Sequence, residues 1–411
     1  MLKDEAAPVP LISVIMANYQ GGRYIERAIG SVLAQTLGDF ELIVSDDDST
    51  DDSVAVVAHL AARDPRLRLL RADQNGGPAR CRNRALAEAR GTWIAIVDSD
   101  DLIHPERLAR LLAEARRSRA DIVADDLLHF YEDGSPSRLL LPEGQDEPIA
   151  IGAAQWILAG SRGTPALGYI KPMIRAAWLR GLGYDEALTI GEDYDLLLRL
   201  LLRGARLSIV PEPWYLYRRH DRSYSHRLSQ SDLRAMIDSQ RRFMAAEGPF
   251  PAEVTAAFRR RMRDLKLALA FESLVAGIKA RNAAQTAAAL AAHPSLMLKL
   301  MNSASEHVSR KAAGPTPSSS PVRVVLSEEP TTADGDTVTI HVPPYRPAEA
   351  QTTGAAARRR TWLQIADLGR LAPLRIVSEG PAGAYAAGFL PALLGVPDSE
   401  VTPTGNELVE T

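Results

Sequence analysis

The apolar positions of the first hundred residues follow two alternating periods. Short apolar runs, which are typical of buried parallel strands, occur at residues 11–17, 40–44, 67–71 and 93–97. Between these runs, apolar stripes at helical spacing predict helices over residues 22–35, 53–63 and 78–90. An alternating order of strands and helices implies right-handed crossovers and a mostly parallel sheet with helices on both faces. We therefore expect an α/β fold.

The remainder of the chain is less regular. Its patterns predict helices over residues 106–119 and 194–203, strands over 121–124 and 207–210, and a polar loop over 132–150. Residues 229 to about 307 are predicted to be helical, and residues 308–358, rich in Pro, Ser, Thr, Ala and Gly, predict a flexible linker. We therefore expect an α/β domain over residues 1–228, a helical accessory region over 229–307, the linker, and a C-terminal segment over 359–411 of unknown role.

Composition narrows the classes of protein that fit. The 48 basic and 51 acidic residues leave a net charge of -3, which does not favour nucleic acid as a partner. The single cysteine, Cys81, excludes an internal disulfide and fits a reducing compartment. The sequence contains neither a signal-like N-terminus nor a run of about 18 apolar residues that could span a membrane. We therefore expect a cytoplasmic location.

Polar and acidic residues follow each of the four predicted strands. In parallel sheets ligands bind at the carboxyl ends of the strands. The loops at these ends begin with Asn18-Tyr19, with Asp46-Asp47-Asp48, with Asp73-Gln74-Asn75, and with Asp98-Ser99-Asp100-Asp101. A single aspartate in a loop is often only a turn or cap residue. Three acidic loops on one edge repel each other, and a bound cation would relieve that repulsion.

The two carboxylates Asp98 and Asp100 are candidate metal ligands. They follow a predicted buried strand, which would hold both at a rigid position. Mn²⁺ and Mg²⁺ prefer oxygen ligands and commonly bind through one or two carboxylates together with substrate phosphates. A cation that bridges the phosphates of a departing nucleoside diphosphate stabilises the charge that develops there. The spacing therefore predicts a Mn²⁺ or Mg²⁺ site for a diphosphate substrate.

A second acidic pair, Glu192 and Asp193, precedes the helix predicted over residues 194–203. Acidic residues at a helix start can simply complement the helix dipole. The alternative is that Asp193 removes the proton from an attacking hydroxyl group, a task that needs a carboxylate separate from the metal ligands. Both interpretations remain open at this point.

A third cluster, over residues 215–226, is basic and rich in hydroxyl groups. Arg218, Arg219 and Ser223 are suited to binding phosphate oxygens. His220 is a candidate metal or diphosphate ligand, although a lone histidine is usually structural, and His226 is expected at the surface.

These residues together resemble the family 2 glycosyltransferases, which have the GT-A fold and an inverting mechanism. The resemblance covers about residues 10–226. It rests on residues 12–19, 28–36, 40–47 and 75–80, on Asn83, on residues 97–101 and on Pro105. It implies a GT-A domain with a mostly parallel sheet, divided into a nucleotide-sugar half at about residues 10–130 and an acceptor half at about 131–228, followed by a helical C-terminal region.

The resemblance also implies roles for individual residues. Asp47 would contact the uracil base, Asp100 would ligate the metal directly, and Asp98 would contact the ribose or help with the metal. Asp193 would be the catalytic base, with Glu192 beside it. Further donor or metal contacts would come from Asn18, Tyr19, Arg80 and His220.

Two features of the sequence differ from patterns found in the family. Ser45 stands where a hydrophobic residue is usual. The Q-x-x-R-W motif of processive synthases is missing, because the nearest string, residues 240–243, has the wrong spacing. The second departure favours transfer of a single sugar over polymerisation.

Residues 168–175, 184–186 and 190–193 resemble more particularly the succinoglycan-type exopolysaccharide glucosyltransferases. This resemblance implies UDP-glucose as donor and a polyprenyl-diphosphate-linked saccharide as acceptor, with Lys171 and Arg175 facing the acceptor. Peripheral association with the inner face of the membrane would follow. Residues 255–281, basic and apolar, would then either lie on an anionic surface or form an ordinary helix packed on the catalytic domain.

Other classes of protein are less consistent with the sequence. A D-x-D-x-[TV] phosphotransferase is disfavoured because Leu102 stands at the last motif position and the motif follows the fourth strand. The P-loop and Rossmann glycine motifs are not found. A non-catalytic scaffold that binds nucleotide sugars, or a glycosyltransferase of another surface polysaccharide pathway, remains an alternative.

Overall fold

A computed structural model describes residues 9–133, 135–161, 164–188, 190–220, 228–293, 296–297, 322–327, 337–341, 355–371, 374–379 and 401–404. The strands of the large sheet are, in chain order, β1 (Ile12–Asn18), β2 (Phe40–Asp46), β3 (Leu67–Arg71), β4 (Trp93–Ile96), β5 (Leu102–Ile103), β6 (Ile122–Tyr131), β7 (Arg138–Leu139), β8 (Ile149–Ile151), β9 (Met173–Arg175) and β10 (Leu207–Arg219). The helices of the same part of the chain are α1 (Ile25–Leu33), α2 (Ser53–Ala61), α3 (Gly77–Glu88), α4 (Arg107–Ser118), α5 (Ala153–Ile157), α6 (Glu192–Leu202), α7 (Gln230–Glu247), α8 (Ala252–Lys279) and α9 (Ala283–Ala292).

The large sheet has the strand order β3-β2-β1-β4-β9-β6-β10-β5, with β7 beside β6 and β8 beside β10. Strands β3, β2, β1 and β4 are parallel neighbours, as are β6 and β10. The short strand β9 runs antiparallel to both β4 and β6 and joins the two parallel groups. The prediction of an α/β fold with a mostly parallel sheet is confirmed.

The core lies on both faces of this sheet. Along β1, Val14 and Met16 pack in an apolar cluster that also contains Ile29 of α1. Ile15, which points to the opposite face, belongs to a second cluster with Ala85 of α3. Successive strand side chains alternate between faces, and a strand covered on both faces must therefore be apolar at nearly every position.

The helical region after the sheet was also predicted from sequence, and α7, α8 and α9 confirm it as far as residue 292. In α8 the residues Val254, Ala257 and Phe258 are buried against the cluster that contains Ile15. For these positions the packing alternative holds. Arg259, Arg260 and Arg263 of the same helix are exposed.

The linker predicted for residues 308–358 is wrong for two segments. Strands β11 (Val322–Ser327) and β12 (Thr337–His341) lie inside it. They form a second, parallel sheet of order β12-β11-β13-β14 with β13 (Leu374–Glu379) and β14 (Val401–Thr404). The Pro-, Ser- and Thr-rich composition of the whole segment concealed two short runs of β-branched residues, which favour strands. The loop predicted for residues 132–150 likewise contains β7 and the start of β8.

The helix α10 (Ala355–Leu371) begins inside the predicted linker and packs on the large sheet. Trp362 is 1% exposed, belongs to the cluster that contains Val14, and lies edge-on 5.1 Å from the ring of His104. Arg359 pairs with the buried Asp126 of β6 at 2.9 Å. The C-terminal segment, to which the sequence assigned no role, thus contributes a helix to the core of the first domain.

Candidate active site

The site is built at the carboxyl ends of neighbouring parallel strands. In the register of β1 and β2, Asn18 lies beside Asp46. The backbone N–H of Asp47 donates to the carbonyl of Asn18 at 2.9 Å, so the loop after β2 stays against the end of β1. The N–H of Val97 donates to the carbonyl of Ile15, which brings the loop after β4 to the same edge. The predicted convergence of the loops is confirmed.

Asn18 and Asp47 form the buried floor of one side of the site. The Asn18 amide donates to Asp46 Oδ2 at 2.7 Å and to Ser53 Oγ at 3.1 Å. Asp47 Oδ2 accepts from the N–H groups of Gly76 and Gly77 at 3.0 and 2.7 Å. The second carboxylate oxygen of Asp47 is buried without a hydrogen-bond partner among the described residues.

Tyr19 and Arg80, two predicted donor contacts, lie at the rim of the same region. Tyr19 is 56% exposed. The side chain of Arg80 is exposed and passes close to Gly76, where an added Cβ would meet its Cδ at 2.5 Å. Both side chains are therefore accessible to a molecule that enters beside Asp47.

Arg84, which the sequence analysis did not single out, explains the unusual Ser45. The Arg84 Nε donates to Ser45 Oγ at 2.9 Å, and its Nη2 donates to the carbonyl of Asp46 at 2.7 Å. The same guanidinium lies 3.8 Å from Asp47 Oδ1. A hydrophobic residue at position 45 would lose the hydrogen bond that holds this arginine, so the departure from the family pattern is compensated locally.

Three carboxylates of the loop after β4 converge. Oxygen atoms of Asp98, Asp100 and Asp101 lie within 4.8 Å of one another. His220 Nε2 is 3.0 Å from Asp100 Oδ2, so the predicted ligands Asp98 and Asp100 lie in one cluster and His220 adjoins it at Asp100. Carboxylate oxygens with one imidazole are a donor set that suits Mn²⁺ and is compatible with Mg²⁺. The residues present therefore fit a divalent cation.

Asp101 is the buried member of this cluster. It accepts hydrogen bonds from the Tyr215 hydroxyl and from the backbone N–H of Arg218, each at 2.7 Å. Burial raises the pKa of Asp101 well above its usual value, and the charges of Asp100 and Asp98 raise it further. The crowding of negative charge predicted from sequence is thus present at this end of the sheet.

Arg218 and Arg219 point to different surroundings because neighbouring strand residues face opposite sides. Arg218 Nε donates to the carbonyl of Asp100 at 2.7 Å, and its guanidinium lies over the rings of Tyr24 and Phe130 at 4.9 and 4.6 Å. Arg219 instead lies over the rings of Tyr169 and Tyr217. Arg218 thus supports the acidic loop after β4, whereas Arg219 lies on the opposite face. Ser223 and His226 lie outside the described residues.

The acidic pair Glu192 and Asp193 opens α6 and faces the acidic loop. Gly191 precedes it with φ of 89°, a left-handed conformation that favours glycine. Arg82 of α3 donates to Glu192 Oε1 at 2.8 Å and to Asp98 Oδ1 at 2.9 Å, and lies 3.6 Å from Asp193 Oδ1. Burial, and then the charge of Asp193, raise the pKa of Glu192.

Lys171 completes this group of charges. Its ammonium nitrogen is 2.7 Å from Asp98 Oδ2 and 3.1 Å from Asp193 Oδ2. The residue is 3% exposed, and its predicted contact with an acceptor stays a prediction. The side chain is turned inward because two carboxylates compete for it, and a buried charge needs a partner.

Arg175 is not part of the site. In the register of β4 and β9 it pairs with Trp93, the first residue of β4, whereas Asp98 follows the other end of that strand. Its guanidinium lies 4.5 Å from the Trp93 ring and 3.6 Å from Asp121. The predicted acceptor contact for Arg175 is therefore wrong, because β9 runs antiparallel to β4 and carries residue 175 away from the carboxyl edge.

Arg82 was not predicted as a site residue, although its position in the sequence carried a signal. Arg82 is three residues from both Ala79 and Ala85, which form the buried face of α3. A charged residue in line with a buried apolar face is almost never found without a partner. That position therefore pointed to a carboxylate elsewhere in the chain, but not to which one.

Comparison with known proteins agrees with this geometry. A family model described as glycosyl transferase family 2 matches residues 13–167. The succinoglycan biosynthesis protein ExoO of Rhizobium meliloti (strain 1021) is 35% identical over 280 residues, which cover 67% of this chain and 80% of that protein. The succinoglycan biosynthesis protein ExoU of the same organism is 32% identical over 270 residues, which cover 64% and 77%.

Solved structures also align with this chain, at low sequence identity. TarS of S. aureus in complex with UDP-GlcNAc aligns with a TM-score of 0.49 at 19% identity, over 67% of this chain and 89% of that chain. The mannosyltransferase PcManGT from Pyrobaculum calidifontis, in complex with GDP-Man and Mn²⁺, aligns with a TM-score of 0.46 at 18% identity, over 74% and 81%.

The chain belongs to glycosyl transferase family 2. It is a glycosyltransferase with the GT-A fold, related to proteins of succinoglycan biosynthesis. In the part of the chain that the structure describes, none of the helices has the length and apolar character needed to cross a membrane.

Proposed function

We propose that this enzyme transfers a single sugar from a nucleoside diphosphate donor to a carbohydrate hydroxyl group, with inversion at the transferred carbon. The observation that carries the proposal is the pairing of Asp98 and Asp193 through the single ammonium group of Lys171. Asp98, the proposed metal ligand, and Asp193, at the start of a separate helix, thus lie side by side. An inverting transfer needs these two functions close together but on separate groups.

The donor is proposed to be UDP-glucose, with the base beside Asp47. Asp47 Oδ1, which has no hydrogen-bond partner among the described residues and lies 3.8 Å from Arg84, can accept a hydrogen bond from the N–H group of a uracil ring. Asn18 stiffens the floor through its bonds to Asp46 and Ser53, and Tyr19 and Arg80 are available at the rim. Glucose as the transferred sugar is supported by the resemblance of residues 168–175 to succinoglycan-type glucosyltransferases.

Dependence on Mn²⁺ or Mg²⁺ is the second part of the proposal. Asp98, Asp100 and His220 would hold the cation, and Arg218 supports the loop through the carbonyl of Asp100. When bound, the cation would supply Lewis-acid stabilisation of the diphosphate.

Asp193 is the proposed base. Its carboxylate accepts the proton of the acceptor hydroxyl group while that oxygen forms a bond to the anomeric carbon. The bond from the anomeric carbon to the phosphate oxygen breaks at the same time, and the nucleoside diphosphate leaves with the electron pair. Attack from the face opposite the leaving group converts an α-linked donor into a β-glycoside. Glu192, paired with Arg82, lies beside the base and fixes the start of α6.

The acceptor is proposed to be a saccharide linked to a polyprenyl diphosphate, in exopolysaccharide biosynthesis at the inner face of the cell membrane. The similarity to ExoO and ExoU supports the pathway class. The exposed Arg259, Arg260 and Arg263 of α8 support a peripheral contact with anionic lipid headgroups.

The test is release of nucleotide from a panel of nucleotide sugars with Mn²⁺, with Mg²⁺ and with EDTA, together with calorimetric titration of UDP. We expect metal-dependent turnover of UDP-glucose. Asp193→Asn should keep UDP binding and lose transfer, whereas Asp100→Asn should weaken the metal-dependent part of UDP binding. Asp195→Asn, two residues further along α6 and paired with Arg199, is the matched control and should retain activity. A wild-type protein that binds no UDP would overturn the proposal.

A further inference from the structure

Lys171 lies between two carboxylates to which the proposed function gives different tasks. Asp98 belongs to the loop after β4, and Asp193 belongs to the first turn of α6. The ammonium nitrogen contacts one oxygen of each, at 2.7 and 3.1 Å. One buried cation therefore connects the diphosphate side of the site to the side that receives the acceptor.

The main chain of Lys171 is fixed on both sides. The carbonyl of Pro172 accepts from the N–H of Ile96 at 3.1 Å, next to the end of β4. The carbonyl of Lys171 accepts from Arg107, whose guanidinium pairs with Asp125 at 2.8 Å. Arg107 and Asp125 are both fully buried. The side chain of Lys171 thus starts from a rigid point and ends on two carboxylates.

Arg82, the other cation beside these carboxylates, hydrogen-bonds Asp98 but not Asp193. Arg82 binds the other oxygen of Asp98 at 2.9 Å but lies 3.6 Å from Asp193, beyond a normal hydrogen bond. Arg82 ties the start of α6 to Asp98 through Glu192, whereas the ammonium group of Lys171 contacts the carboxylates of Asp98 and Asp193 directly. In enzymes a misplacement of about 1 Å can lower the rate by about a hundredfold.

We propose that Lys171 is a positioning residue that holds the base carboxylate of Asp193 at a fixed distance from Asp98 and contacts neither the donor nor the acceptor. The inference rests on the proposed function, because it requires Asp193 to act as the base. It also implies that the ammonium group competes with a cation for Asp98 Oδ2.

The experiment compares Lys171→Met, Lys171→Arg and Arg199→Met with the wild-type chain. Arg199 is a matched control, because it pairs with Asp195 on the same helix at 2.7 Å but lies outside the cluster. We would measure kcat and KM for hydrolysis of UDP-glucose with Mn²⁺, UDP affinity by calorimetry, and Mn²⁺ affinity by electron paramagnetic resonance. For Lys171→Met we expect kcat to fall about a hundredfold. KM and the affinity for UDP should change by less than about threefold, because the lysine contacts neither the donor nor the acceptor. Mn²⁺ should bind this variant more tightly than the wild-type chain.

Lys171→Arg keeps the test decisive if Lys171→Met does not fold. A planar guanidinium does not reproduce the geometry of an ammonium group, so kcat should still fall while KM stays near the wild-type value.

A folded variant with wild-type kcat and wild-type Mn²⁺ affinity would overturn the inference. So would a loss of UDP affinity as large as the loss of kcat, because it would make Lys171 a donor contact. If the wild-type chain binds UDP but hydrolysis is too slow to follow, the Mn²⁺ affinity decides. A wild-type chain without UDP binding would instead overturn the proposed function.

Discussion

Arg82 connects Glu192 to Asp98 through two hydrogen bonds of 2.8 and 2.9 Å. The arginine comes from α3, and the two carboxylates come from α6 and from the loop after β4. Three elements that are distant in sequence therefore meet on one guanidinium. Within this group Arg82 and Lys171 are the two cations that face the three carboxylates of Asp98, Glu192 and Asp193.

Replacing Arg82 with methionine should destabilise the fold. Glu192 would lose its paired cation, and breaking a buried ion pair typically costs about 3 kcal/mol or more. Because Lys171 still pairs with Asp98, we expect the lower end of that range. Urea denaturation would measure the change in the free energy of unfolding. Arg80→Met, an exposed position on the same helix, should change it by less than about 0.5 kcal/mol, and equal losses for the two variants would contradict the prediction.

Asp47→Asn should weaken the binding of UDP without unfolding the protein. Its amide oxygen can still accept from Gly76 and Gly77, but an NH₂ group then replaces the buried oxygen proposed to accept from the uracil. A lost hydrogen bond to a charged group costs about 1.5–3 kcal/mol, which corresponds to roughly ten- to hundredfold in affinity. Calorimetry would measure the affinity. Asp48→Asn, at an exposed neighbour with φ of 65° that asparagine tolerates, should bind UDP as the wild-type chain does.

Replacing Arg359 should destabilise the domain that carries the site, although the residue is distant from it in sequence. Its guanidinium donates to Asp126 Oδ2 at 3.1 Å and to the carbonyls of Leu141 and Pro142 at 2.7 and 2.8 Å. Asp126 is so buried that its pKa is raised to about 6 even beside this cation.

We therefore expect Arg359→Met to lower the free energy of unfolding by about 3–5 kcal/mol. The adjacent exposed Arg360 provides the control, since Arg360→Met should change it by less than about 0.5 kcal/mol. Urea denaturation of both variants checks this. A wild-type midpoint for Arg359→Met would show that α10 does not support the large sheet.

His129 should make stability depend on pH. Burial, and then the charges of Arg219 and Arg138, lower the pKa of His129 to about 3. The unfolded chain takes up a proton near pH 6.5, whereas the folded chain does not until about pH 3, so stability is complete above pH 6.5 and falls as the pH drops below it. Between pH 6.5 and pH 5 this loss amounts to about 2 kcal/mol.

The variant His129→Phe removes this titration and keeps an aromatic ring beside Tyr169 and Tyr217. Its free energy of unfolding should therefore decline less steeply than that of the wild-type chain between pH 7.5 and pH 5. Urea denaturation at several pH values would show the difference. Parallel profiles for the two proteins would contradict the low pKa.

The sequence by itself determined the arrangement of the first half of the molecule. Apolar runs such as that of β1 and the stripe of α1 are local patterns, and their alternation allows few topologies. Because parallel strands end at one edge, the order of motifs along the chain was enough to place Asn18, Asp47 and Asp98 together. The closeness of Asp98 to Asp100, and of His220 to Asp100, agrees with the same reasoning combined with the family resemblance.

The tertiary structure alone decided which charges pair and which elements complete the core. Lys171 and Arg175 are separated by only four positions, yet one is buried between two carboxylates and the other lies at the opposite edge, because β9 reverses direction beside β4. The partners of Arg82, and the docking of α10 through Arg359 and Trp362, likewise depend on contacts between distant segments. A local pattern can show that a buried charge requires a partner, but the partner is chosen by long-range packing, which no short window of sequence contains.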